Sequence, residues 1–283
     1  MGTGNVFETI SQQYYDLTAS EKKTADYLMA HQEESQYMSI AELAEESGVA
    51  EATVSRFCRR LGYKGYNAFK LAIANSTARL RQKAPALPDA EDDSLEEYSR
   101  KLYAVDSAAL TQTLELMDYD AIRTAADMLE AADRVCCMGQ GGSMLIASEA
   151  AHLFSTASGK FFAVSDSHKQ MIRAANMGER DVVLFFSYSG ATRDMMETLQ
   201  VARERRAQII LITRFPKSPG GALADVVLRC GANESPLQLG SVAAKLAQLF
   251  LLDVLFAEYC RRAPEDYEEN RERIAAALAD KHL

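Results

Sequence analysis

The sequence predicts an all-α helix-turn-helix domain followed by an α/β domain built on a doubly wound parallel sheet. Three observations carry that expectation. Ile40 to Tyr63 reads as two short amphipathic helices broken at Gly48. Beyond residue 133, short apolar runs alternate with helical segments, the pattern of a parallel sheet covered on both faces. Between the two textures lies a proline-bearing, acidic stretch, Lys83 to Asp93, with no periodicity, which reads as a linker. The expected boundaries are 1–82 for the helix-turn-helix domain, 83–94 for the linker and 95–283 for the α/β domain with an N-terminal helical extension.

Within the first domain, Thr18 offers an N-cap ahead of Ala25, Leu28 and Met29 at helical spacing. Ser39 followed by Glu42 is a capping-box pattern for the first helix of the motif, and Gly48 supplies the positive φ that ends it. In the second helix, Val54, Phe57, Cys58 and Leu61 form the apolar face. That leaves Glu51, Ala52, Thr53, Ser55, Arg56, Arg59 and Arg60 outside, with Lys64 just beyond. This is the layout of a recognition helix able to enter a major groove. A further helix carries Phe69, Ile73 and Leu80.

Charge distribution points the same way. The chain as a whole is acidic, with 31 Lys and Arg against 40 Asp and Glu, which argues against a general nucleic-acid coat. Residues 1–50 hold two lysines against nine acids, whereas 51–83 hold eight bases against Glu51 alone. A cationic face on one side of a small domain is where phosphates are neutralised. The bland alternative is a solvated basic face on a helical hairpin used for protein contacts.

After the linker, Ser94 caps a long helix bearing Leu95, Tyr98, Leu102, Val105, Leu110 and Leu114, and Asp118 caps another running to about Ala132. Strands are expected at Arg134–Met138, Phe161–Val164, Asp181–Phe186, Gln208–Ile212 and Asp225–Leu228, separated by helices over roughly 142–158, 168–177, 191–206 and 238–261.

The composition is that of a globular chain, 48% hydrophobic and 25% charged. No apolar run approaches the roughly 20 residues that span a bilayer, and the first residues lack a signal-peptide pattern. The five cysteines show no metal-ligand spacing, so they are expected as reduced core residues of a cytoplasmic protein. No metal, cofactor or membrane partner is expected.

Two strand-to-helix turns hold the candidate chemistry: Gly139-Gln-Gly141-Gly142-Ser143 and Ser187-Tyr-Ser189-Gly190-Ala-Thr192. Backbone N–H groups and the helix dipole at such turns favour an anion, and hydroxyls add hydrogen bonds. Glycine and serine are also what ordinary tight turns use. With two such turns, Ser143, Ser187, Ser189 and Thr192 can converge on a phosphate. Neither turn supplies a lysine, so dipoles are expected to carry most of the anion's charge. Met144 stands where a dinucleotide fingerprint wants its third glycine. No Gly-Lys-Ser/Thr follows either turn, so a nucleoside-triphosphate loop is not expected.

The helix-turn-helix segment, continuing through Arg59-Arg-Leu-Gly62-Tyr-Lys-Gly65-Tyr-Asn-Ala-Phe69-Lys, resembles the N-terminal domain of RpiR-type bacterial transcriptional regulators. Val135 to Ser143 and Asp181 to Thr192 are similar to the phosphosugar-binding turns of sugar isomerase (SIS) domains. The resemblance covers roughly 5–80 and 95–262. It implies a sugar-phosphate sensor acting on a double-stranded DNA operator. The ligand would lie against Ser143, Ser187, Ser189 and Thr192, with Gly141, Gly142 and Gly190 in the turns allowing close backbone approach. The resemblance places His168 beside the sugar, and Glu234 to Ser241 in the segment that closes the crevice. Ala50 departs from the family, which often has a capping serine there; its loss costs about 1 kcal/mol of helix stability, partly offset by Glu51.

SIS domains also serve as isomerases, so a phosphosugar isomerase with a fused helical domain is the alternative reading. Glu234 would be its base, assisted by His168 or His152, of which His152 reads as packed against the sheet. A scaffold with a protein-interaction domain is a third. The regulator is favoured, without catalytic residues. One helix-turn-helix makes few phosphate contacts, so a homodimer or homotetramer is expected, with the helices at Leu95–Leu116 and Gln248–Cys260 supplying interfaces.

Overall fold

A computed structural model describes residues 5–80, 94–232, 241–262 and 264–279. The expected linker, except Ser94, and residues 233–240 lie outside the described residues. The chain divides into two compact units, and one point of division falls inside a helix, between Val105 and Asp106.

The first unit is helical: α1 (Val6–Gln13), α2 (Ala19–Ala30), α3 (Ile40–Glu46), α4 (Glu51–Arg60) and α5 (Tyr66–Leu80). Its core is formed by Val6, Phe7, Ile10, Leu28, Leu43, Val54, Phe57, Phe69 and Ile73. Phe57 meets the Phe69 ring edge-on at 5.7 Å, a favourable arrangement of ring quadrupoles. α1 lies in the part expected to be helical, though the sequence did not mark its bounds. Asn5 caps it, and the Val6 N–H donates to Ser76 Oγ at 2.8 Å, fixing α1 on α5. Capping boxes form at Thr18/Glu21 and Ser39/Glu42, each satisfying amide groups that the first helical turn leaves without partners.

In the second unit, α6 (Leu95–Glu115) and α7 (Tyr119–Ala131) precede β1 (Arg134–Gly139), α8 (Ser143–Ser155), β2 (Phe161–Ala163), α9 (Ser167–Ala175), β3 (Asp181–Phe186), α10 (Arg193–Glu204), β4 (Gln208–Thr213), β5 (Val226–Arg229), α11 (Val242–Arg262) and α12 (Pro264–Leu278), although the first half of α6 groups with the first unit. α12, polar along most of its length, had not been anticipated. The strands form one parallel sheet in the order β2-β1-β3-β4-β5.

Alternation along the central strands places Val135, Cys137, Val182, Leu184, Phe186, Ile210 and Ile212 in one core with α7, α8 and α11. Cys136, Met138, Val183, Phe185, Ile209 and Leu211 enter the other core, with α9 and α10. The sheet is therefore doubly wound, as the apolar runs predict. Of the α11 positions expected to serve an interface, Gln248, Leu251, Leu252 and Leu255 are buried within this unit. No helix of the described residues is long and apolar enough to cross a membrane.

Candidate functional site

The helix-turn-helix geometry follows from two glycines. Gly48 has φ +63°; its N–H bonds to Glu45 O and that of Val49 to Ala44 O, the paired bonds that close a helix on a left-handed residue. Gly62, at φ +89°, ends α4 in the same way through Gly62 N–H to Arg59 O and Tyr63 N–H to Cys58 O. α4 is thereby cut to ten residues and held by Val54, Phe57 and Cys58 in the core. Its outer face presents Glu51, Ala52, Arg56 and Arg59, with Ser55 half-buried and Lys64 exposed beyond the turn.

Two residues of the expected outer face are placed differently. Thr53 is buried, because α4 turns it toward the packed side, and its Oγ1 accepts from Arg56 Nη2 at 3.3 Å. Arg60 is folded back onto the domain: Nη1 donates to Glu21 Oε2 at 3.2 Å and Nη2 to the Asp16 carbonyl. The same Glu21 oxygen accepts from the Thr18 N–H and hydroxyl, each at 2.9 Å. Burial alone would raise the Glu21 pKa, but the Thr18 hydrogen bonds and the Arg60 charge outweigh it and hold the carboxyl below its ordinary value. Arg60 ties the C-terminus of α4 to the start of α2, leaving Arg56, Arg59 and Lys64 as the cations directed outward. As expected, Ala50 sits in N-cap geometry without a capping side chain.

In the sheet, the strand order reverses its winding between β1 and β3, and ligand crevices form outside the carboxyl ends of strands at such a switch. Gly139 pairs with Phe186 in register, so the two glycine and hydroxyl turns leave neighbouring strands at the same edge. Gly139 allows α8 to begin directly over β1, since a Cβ there would lie 2.7 Å from Ser143 O. Gly141 turns at φ +53°, and Gly142 and Ser143 open α8. In the second turn, Ser187 is buried and its Oγ accepts from the Gly190 N–H at 3.2 Å. Ser189 is exposed, and Thr192, also exposed, caps α10 without a side-chain hydrogen bond. Gly190 combines φ +59° with close contact: a Cβ would fall 2.1 Å from Ser218 Oγ.

His168 lies exposed in the first turn of α9, the helix that follows β2 on the other side of β1. Ser241 immediately precedes α11. Glu234 lies outside the described residues. His152 is exposed in the last turn of α8, not packed against the sheet.

Two residues near the turns escaped the sequence reading. Gln170 is fully buried. Its Nε2 donates to Gly139 O at 3.0 Å and Val164 O at 2.7 Å, while its Oε1 accepts from Gln140 Nε2 at 2.9 Å. It bolts α9 to the first turn. Lys245, in the first turn of α11, reaches across the chain so that its Cε would lie 3.3 Å from a Cβ on Gly142. A lysine side chain therefore does stand beside the first turn, contributed by a helix about 100 residues later in the chain. Among the described residues no cluster of His, Cys, Asp and Glu has the arrangement of a metal site.

Comparison with known proteins agrees with both halves of this arrangement. Residues 4–80 match the family of helix-turn-helix domains of the rpiR family, and residues 128–258 match the SIS domain. The HTH-type transcriptional regulator HexR of Escherichia coli is 30% identical, over 98% of this chain and 95% of its own length. An HTH-type transcriptional regulator of Haemophilus influenzae is 31% identical over 90% of both chains. The structure of the Vibrio vulnificus NanR protein complexed with ManNAc-6P superposes with a TM-score of 0.86 at 23% identity, covering 99% of this chain and 100% of that one, and so shares its fold. With a helix-turn-helix at its N-terminus, an SIS sheet behind it and relatives matched over nearly their full length, the chain belongs to the rpiR family of HTH-type transcriptional regulators.

Proposed function

We propose that this regulator senses a phosphorylated sugar at the switch point between β1 and β3 and that occupancy changes its affinity for a double-stranded DNA operator. The observation that carries the reading is the in-register pairing of Gly139 with Phe186, which delivers both turns to one edge. Ser143, Ser187, Ser189 and Thr192 would hydrogen-bond the phosphate, with Gly141, Gly142 and Gly190 letting backbone N–H groups approach. Lys245 would add charge, and His168, Glu234 and Ser241 would face the sugar. DNA contact falls to Glu51, Ala52, Ser55, Arg56, Arg59 and Lys64 on and after α4. Thr53 and Arg60 would position that helix.

In this reading residues 1–82 form the DNA-binding domain, 83–94 the linker and 95–283 the sensor, in a cytoplasmic homodimer or homotetramer. Exposed Leu95, Leu102, Tyr103, Val105 and Leu114 on α6 support an interface there. The SIS sheet would bind its ligand without turning it over, since the turns offer hydroxyls, glycines and N–H groups instead of a paired acid and base. A thermal-shift panel of sugar phosphates against the parent sugars tests the site: the cognate phosphosugar raises Tm and its unphosphorylated form does not. Stabilisation by the free sugar alone would contradict the phosphate assignment. Isomerase assays with the same panel test catalysis, and turnover lost in Glu234→Gln would contradict the regulator reading.

A further inference from the structure

The Ser187–Thr192 turn is connected to α6 by a chain of buried contacts. Tyr188, between the two serines, donates its hydroxyl to Ala232 O at 3.1 Å. Ala232 is buried and holds φ +75°, a left-handed conformation that a residue with a Cβ rarely adopts. Its neighbour Gly231 donates its N–H to Thr113 Oγ1 at 2.9 Å. Thr113 is fully buried in the last turns of α6 and donates in turn to Ala109 O at 2.7 Å. Gly231 sits so tightly on the helix that a Cβ would lie 2.6 Å from Thr113 N and 2.9 Å from Ala109 O. Strain in a buried non-glycine residue persists only where its surroundings over-determine it, and it collects at switching segments. Here the strained residue lies between the turn and the helix.

We propose that Tyr188 is a positioning residue that couples the Ser187–Thr192 turn to α6 through Ala232, Gly231 and Thr113. The inference rests on the effector reading of that turn and deepens it by naming the path. A change in turn geometry on ligand binding moves the phenol, the phenol moves the strained Ala232–Gly231 unit, and the close Gly231 contact passes the shift to α6. α6 is one unbroken 21-residue helix, and the division between the two units falls within it.

The test is amide hydrogen exchange on the full, ligand-free chain, comparing the parent with Tyr188→Phe, Thr113→Val and Thr113→Ser. Loss of the phenol hydroxyl should speed exchange about fivefold at the Gly231 amide and at those of 110–117, the size expected for one hydrogen bond. Thr113→Val should speed exchange reciprocally at Gly190 and Ala191, and Thr113→Ser, which keeps the hydroxyl, should restore parent rates. Changes confined to each variant's own side of Gly231 would overturn the coupling. If Thr113→Val does not fold, the reach of Tyr188→Phe into α6 decides alone. No ligand enters the experiment, so its failure is distinct from a failure of the sugar-phosphate panel.

Discussion

Ala50 adopts the extended N-cap conformation, φ −79° and ψ 150°, yet brings no side-chain oxygen to the first-turn amides of α4. Ala50→Ser should therefore stabilise the chain by about 1 kcal/mol, read as a rise in urea midpoint with unchanged slope; no rise would mean that Glu51 and solvent already satisfy those amides. Arg59 and Arg60 are adjacent in sequence and differ in partner. Both are exposed, but Arg60 is held by Glu21 and Asp16. Each phosphate contact adds about 0.9 to the slope of log affinity against log salt. Arg59→Ala should lower the operator-binding salt slope by about one; Arg60→Ala should weaken binding at an unchanged slope and lower stability. Equal slopes in the two variants would remove the distinction. Amphipathic spacing reveals which residues leave the apolar face. It cannot show that a guanidinium finds a carboxylate 39 positions earlier.

At the scale of elements, the strands were legible because each is a short apolar run bounded by turn residues, and the capped helices because Ser39, Ser94 and Asp118 announce their starts. The bounds of α1 were not legible because its core contribution is only Val6, Phe7 and Ile10 beside polar neighbours, and α12 was missed because it carries little apolar signal. Gln170 was illegible for a different reason. A buried amide that satisfies carbonyls on two other segments has no hydropathic signature, and its role exists only in three dimensions. Lys245 was likewise hidden, since its neighbour Gly142 is set by the packing of α11 on α8.

Two carboxylates also join elements. Glu21 links α2 to α4, and Asp181 at the start of β3 accepts from Arg134 Nε at 2.9 Å and Nη2 at 2.6 Å and from the Gly178 N–H at 2.8 Å. Burial opposes ionisation of Asp181, but Arg134 and the Gly178 amide prevail and keep its pKa below the usual carboxylate range. A depressed folded-state pKa stabilises fully above the unfolded value, about 4. That stabilisation is lost as pH falls through the folded value. These two groups should leave stability flat between about pH 8 and 5 and erode it below about pH 4. Glu21→Gln and Asp181→Asn should each lower the urea midpoint at pH 7 and flatten its fall in acid; an unaltered acid limb in both would contradict the assignment.

For the whole molecule, the family could be read from sequence because the two segments that carry the resemblance, the turn at Gly48 and the Ser-x-Ser-Gly-x-Thr turn, are each contiguous in the chain. Adjacency of the two hydroxyl turns depends on strand order, which alternation alone leaves open; the β2-β1-β3-β4-β5 order places them on neighbouring strands. Within the second unit, Thr113 near the end of α6 receives the Gly231 N–H, which ties that helix to the segment after β5. The most direct measurement is operator affinity with and without the phosphosugar that most raises Tm, in the parent and in Ser189→Ala/Thr192→Ala. The parent should shift its affinity by about tenfold, a coupling of about 1.4 kcal/mol. The double variant should bind operator as the parent does without ligand and show no shift. A double variant that responds with the parent's fold-change would contradict a sensor built on these two turns.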